Sequence, residues 1–197
     1  MLLKNEFEVA APVDRVWAYF LDVPNLAPCL PGAELVGDDG AGTYQGKVVA
    51  ALGPVKLRFS GTARIVEADE ASHRMVLQAS GSEDKGKGEA AMTITARLVS
   101  AGRGTRVTVD QDLTISGAAA QFGRGLIADV TGVLMTSFAE CVQFNIDNQG
   151  GAGSSGAGTA TAVRAAKPAS GFLIGLRAAR MALGRVFARF FLPYRRP

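Results

Sequence analysis

From Val55 to Ile115 apolar residues recur at every second position, and after Ser116-Gly117 the repeat changes to that of a helix. No other feature of the chain restricts its fold as much. In the clearest run Val55, Leu57, Phe59, Gly61, Ala63 and Ile65 alternate with Lys56, Arg58, Ser60, Thr62 and Arg64, giving one dry and one wet face. Met92, Ile94, Ala96 and Leu98 repeat the pattern, as do Val107, Val109, Leu113 and Ile115, with Gln111 as the polar residue among the dry positions. Phe122, Leu126, Val130, Val133, Leu134, Phe138, Cys141 and Val142 then form an apolar stripe about six turns long. A sheet with one dry face and one amphipathic helix bury both surfaces when the helix lies across the sheet.

Upstream, Leu3, Asn5, Phe7 and Val9 alternate with Lys4, Glu6 and Glu8, predicting a half-buried strand. Pro12-Val13-Asp14 opens a helix, with Val13, Val16, Trp17, Phe20 and Leu21 on its apolar face. Pro24, Pro28 and Pro31 limit the next segment to a short second helix before Gly32. Five strand-like runs follow, broken at Asp38 to Gly40, Gly53-Pro54, Asp69 to Ser72, Gly81 to Gly86 and Gly102 to Gly104, and read as an antiparallel meander. The expectation is an α+β fold in which a curved antiparallel sheet grips a long helix, with a cavity between them.

Three segments are expected: a body over 1–147, a flexible linker over 148–170 and a basic amphipathic helix over 171–197. The linker is rich in Gly, Ser, Ala and Thr without periodicity. Residues 1–158 hold 13 Lys and Arg against 18 Asp and Glu, whereas the rest hold eight bases and no acid. In the tail Phe172, Leu176, Ala179, Leu183, Val186, Phe187 and Phe190 fall on one stripe, while Arg177, Arg185 and Arg189 point away and Arg180 lies at the edge. Such a helix is the sequence form of an interfacial membrane anchor. Packing on a partner or on the acidic body is the alternative. The continuous apolar stripe argues against nucleic acid, since phosphate binding does not need it. Met1 runs directly into charged Lys4, Glu6 and Glu8, and no uncharged stretch is long enough to span a bilayer, which points to a cytoplasmic protein peripheral on the inner face of the membrane. Cys29 and Cys141 form no metal-ligand pattern, and neither a metal nor a disulfide is expected of them.

The expected inward set comprises Leu57, Phe59, Met75, Leu77, Met92, Ile94, Val109, Leu113, Phe122, Leu126 and Leu134. It reads either as plain core or as the wall of a ligand cavity. Small residues at Gly61, Ala63, Ala79, Ala90 and Ala96, with adaptable Met75 and Met92, favour the cavity. Gln111 needs a hydrogen-bond partner, whether backbone, water or ligand, and Tyr44 offers a second donor at the mouth. No inward strand position carries Asp, Glu, His, Lys or Arg, so no enzyme activity is expected. The sole histidine, His73, falls in a turn and reads as a surface residue.

The Phe7-Glu8 strand, the helix Pro12 to Trp17, Asp22, the turn Pro28-Cys29-Leu30-Pro31-Gly32, the Gly53-Pro54 hairpin, Gly61 and Gly123 together resemble the CoxG family, the G subunits of carbon monoxide dehydrogenase, within the START-like (SRPBCC), helix-grip superfamily. The resemblance covers roughly residues 1–147. It implies a lipophilic-ligand cavity and association with the molybdenum-containing carbon monoxide dehydrogenase. For members with an amphipathic C-terminal extension it implies membrane anchoring and binding of a quinone, here expected to be menaquinone, that links the dehydrogenase to respiration. A quinone carbonyl would accept a hydrogen bond from Gln111. No catalytic residue or covalently bound cofactor is carried over. The competing reading is an adaptor that recruits or assembles the dehydrogenase at the membrane without carrying a ligand.

Overall fold

The structure, a computed structural model, describes residues 1–52 and 55–151. Seven strands form one antiparallel sheet: β1 (Leu2–Val9), β2 (Ala33–Asp38), β3 (Thr43–Leu52), β4 (Val55–Asp69), β5 (Arg74–Glu83), β6 (Glu89–Ala101) and β7 (Gly104–Ile115), in the spatial order β1-β7-β6-β5-β4-β3-β2. Strands β2 to β7 make the meander, and β1 pairs with β7, Leu3 opposite Gln111 and Val9 opposite Thr105. The helices α1 (Val13–Leu21) and α2 (Val23–Leu26) and a 3-10 turn (Ala27–Cys29) separate β1 from β2, while a second 3-10 turn (Gly117–Phe122) leads into α3 (Gly123–Gly151). Six strands follow the short helices where five runs were expected. Asp38 to Gly40 divides two of them, and β2 is only six residues long with a register shift between Leu35 and Gly37. The closing helix runs to Gly151, making the first four residues assigned to the linker helical.

The expected start of α1 is seen, with Pro12 preceding the helix and Asp14 in its first turn. Asp22 explains the break before α2: its carboxylate accepts from the Asn25 backbone amide (3.3 Å) and side-chain amide (2.6 Å). At Gly32 the backbone takes φ +84, and a Cβ there would stand 2.5 Å from the Val49 carbonyl oxygen, so the turn at 28–32 can end only in glycine. Gly46, Gly61 and Gly81 stand opposite one another across β3, β4 and β5. A Cβ on Gly61 would collide with the Ser80 carbonyl, so this glycine row lets the strands approach where the sheet curves.

α3 passes the length and hydropathy test for a membrane span over Gly117–Gln149. It places Phe138, Cys141, Val142 and Ile146 in the protein core, as the main helix of a folded domain does. Cys29 and Cys141 are joined as a disulfide with their Cα atoms 5.4 Å apart, contrary to the expectation of unlinked thiols. Their separation of 112 residues concealed the proximity, which arises because the turn at 27–29 packs on α3. Around the bridge, the Asn145 amide donates to the Tyr19 hydroxyl (3.0 Å) and lies 3.3 Å from the Cys29 sulfur, while Tyr19 donates to the Asn25 carbonyl (2.9 Å). Burial raises the Tyr19 pKa above the ordinary tyrosine value, with Asp22 adding to the effect against the hydrogen bond from Asn145. His73 is half-buried rather than a free surface residue. Its ring meets Trp17 edge-on at 5.6 Å and its Nε2 lies 3.4 Å from Asp14, joining the β4–β5 turn to α1.

Candidate functional site

One face of the sheet carries two separate apolar clusters. The larger packs Trp17 and Phe20 from α1 and Phe138, Val142 and Ile146 from α3 onto Met75, Ala96, Leu98, Val107 and Val109, with Ile94 and Phe7 at its edge. Phe138 meets Phe7 and Phe20 edge-on at 5.9 and 6.1 Å, geometry that contributes about 1 kcal/mol per pair beyond burial. The smaller gathers Leu57, Ala119 and Val130 with Phe59, Ile115, Phe122, Leu126, Val133 and Leu134, under the N-terminal half of α3.

Between them runs a row that belongs to neither: Tyr44, Ala63, Ala79, Met92 and Leu113, paired successively across β3, β4, β5, β6 and β7. All five are partly exposed although they face the helix side of the sheet. The next residue inward on β7 is Gln111, opposite Ile94 on β6 and Leu3 on β1, and 6% exposed. Its amide has no hydrogen bond to another described residue. A domain core is ordinarily one contiguous cluster. Here an apolar band edged by the polar side chain of Gln111 interrupts it.

The thirteen residues singled out in the sequence divide by this geometry. Leu57, Phe59, Phe122, Leu126 and Leu134 meet in the smaller cluster; Tyr44, Met92, Leu113 and Gln111 lie along the band, and Leu77 borders it opposite Ile94. Met75, Val109 and Ile94 belong to the larger, packed cluster instead. Sequence alternation identifies a face but not which part of that face the helices cover. Val48 and Ala50, on the same face of β3, were not singled out, although Tyr44, Gly46, Val48 and Ala50 alternate as the other strands do. Burial and the nearby carboxylates of Asp38, Asp22 and Asp39 raise the Tyr44 pKa above the ordinary tyrosine value, so its hydroxyl remains a proton donor at neutral pH.

The register also corrects one expectation: Glu83, opposite Phe59, occupies an inward position. Its carboxylate is folded back over the turn glycines Gly86 and Gly88, away from the band. A separate cleft of about 390 Å³, lined by Arg15, Ala18, Tyr19, Asp22, Ile146 and Gln149, lies between α1 and the far end of α3. Its lining mixes polar and apolar groups and includes Arg15, which donates to the Ile146 carbonyl at 2.8 Å. The tail residues Phe172, Leu176, Arg177, Arg180, Leu183, Phe187 and Phe190 lie outside the described residues.

Among solved structures, the chain is similar to a conserved protein from Geobacillus kaustophilus (19% identity, TM-score 0.65, covering 76% of this chain and 97% of that one). It is similar also to the Zhui aromatase/cyclase from Streptomyces (15%, 0.54, 76% and 94%) and to a START superfamily protein from Mycobacterium smegmatis (14%, 0.51, 75% and 98%). These likenesses establish the helix-grip, START-like fold. Comparison with curated protein sequences finds no match. Residues 6–147 match the family model for the G subunit of carbon monoxide dehydrogenase (CoxG).

Proposed function

The chain belongs to the CoxG family of carbon monoxide dehydrogenase, and from that premise we propose that it is a non-catalytic carrier which takes a lipophilic quinone between its sheet and closing helix. The observation that supports this reading is the apolar band between the two clusters, edged by the buried polar side chain of Gln111 on β7. A quinone satisfies both needs at once. Its ring carbonyl accepts from the Gln111 side chain, and its isoprenoid tail covers Met92, Leu113 and the apolar side of α3. Menaquinone is the candidate cargo. Electron transfer from a docked carbon monoxide dehydrogenase would reduce the bound quinone with two electrons and two protons. With Glu83 turned away, those protons come from solvent at the open side. The basic tail at 171–197 holds the body at the inner membrane surface, where quinone exchange takes place.

The test is transfer. The full chain is incubated with vesicles containing menaquinone, re-isolated and extracted. The carrier reading expects one quinone per chain, and expects Ala79→Leu, which fills the band, to abolish uptake while the protein stays folded. Absence of quinone from the re-isolated wild-type protein would overturn it.

A further inference from the structure

Among the basic residues of the sheet, Lys4, Arg74, Arg97 and Arg106 each face a carboxylate within ion-pair distance, from Asp110, Glu67, Asp110 and the pair Glu6 and Glu8. On the β3–β4 hairpin Lys47, Lys56 and Arg58 are exposed, and among the described residues none has a carboxylate within 4.0 Å, although Glu34 stands opposite Lys47 in the register. The same hairpin holds exposed apolar side chains: Val48 (46%), Val49 (37%) and Val55 (37%). Leu30 (39%) joins them, because Val49 donates its amide to the Gly32 carbonyl at 2.8 Å and so holds the turn at 28–32 alongside β3. Val49 is paired with Arg58 and Ala51 with Lys56 on the outer face, while Val48 is paired with Phe59 and Ala50 with Leu57 on the helix-facing side. Exposed valines thus continue directly into the smaller cluster through Leu57 and Phe59.

We propose that this hairpin is a second membrane-docking site, on the folded body, for a surface of anionic lipid. Apolar side chains ringed by cations without partners suit an interface where valines enter the acyl boundary and lysines meet headgroup phosphates. The charge pattern excludes two other occupants. The chain's own tail at 171–197 has six bases and no acid, and a second copy meeting it through the same face would bring the same cations together. Docking through the hairpin extends the carrier reading by holding the smaller cluster's end of the body against the bilayer, but it stands on separate observations.

The test is hydrogen–deuterium exchange of the full chain with and without vesicles of phosphatidylcholine and phosphatidylglycerol. Amides of Thr43–Leu52 and Val55–Ser60 are expected to slow when anionic vesicles are added, in addition to any change in the tail. Lys56→Glu combined with Arg58→Glu, both exposed and away from the band, should remove that protection and weaken vesicle binding at low salt by about tenfold or more. Protection confined to the tail would overturn the proposal. So would hairpin protection that depends on protein concentration without vesicles, which would mean self-association. A protein that shows the hairpin protection yet never takes up quinone would retain the docking site and refute carriage.

Discussion

Tyr44 and Gln111 stand on one face of the sheet, on strands four places apart in the order β7-β6-β5-β4-β3, each next to an edge strand. At about 4.8 Å per strand the path between them along the curved sheet is about 19 Å, so they border different parts of the band. On the proposed carrier reading Gln111 is the donor for the head group, and Tyr44 meets the cargo elsewhere along the band. Gln111→Leu should sharply lower quinone retention while changing the stability of the empty protein by less than about 1 kcal/mol, because the side chain makes no hydrogen bond to another described residue. Tyr44→Phe should weaken retention independently, and the double variant should show the two losses adding. Retention by solvent extraction and stability by denaturant unfolding check each arm.

Cavity filling distinguishes the band from the packed core. Ala96 is 2% exposed and sits among Met75, Val109 and Leu98, so Ala96→Leu should overpack that cluster and cost about 1–3 kcal/mol. Ala79 faces the same side but belongs to neither cluster, and Ala79→Leu should cost far less while blocking the ligand. Thermal unfolding of the two variants side by side makes the comparison.

The disulfide makes a chemical prediction. Thiol titration of the unfolded, unreduced protein should find neither Cys29 nor Cys141 free. Replacing both by alanine should destabilise the body by about 2–5 kcal/mol, since the bridge closes a loop of more than a hundred residues. Titration of both thiols in full would show that no bridge forms.

Tyr19 predicts an alkaline limit. Its folded pKa lies above the ordinary tyrosine value of 10.0, so the unfolded chain loses the proton first as pH rises. The stabilisation is complete below about 10 and is lost as pH climbs from there through the folded value. Tyr19→Phe should flatten that decline, as read by unfolding midpoints across the alkaline range.

Much of this architecture is legible in the residues. Period-two alternation in 55–65 and 92–115 marks the meander, and the change of period after Gly117 marks the closing helix. Local patterns carry those elements. What they do not carry is long-range placement: the approach of Cys29 to Cys141, the meeting of His73 with Trp17, and the division of one dry face into two clusters with a band between. Met75 and Met92 look alike in alternation, yet helices cover one and not the other. Glu83 escaped notice because it closes its strand beside a turn, where alternation ceases to be informative.

The most direct test of the carrier function is native mass spectrometry of the full chain purified from its own host, followed by solvent extraction of what it carries. One lipophilic molecule per chain is predicted, identified as a quinone and missing from the Ala79→Leu variant. A wild-type protein found only at the mass of the bare chain, while still bound to membranes, would contradict carriage and leave recruitment of the dehydrogenase as its function.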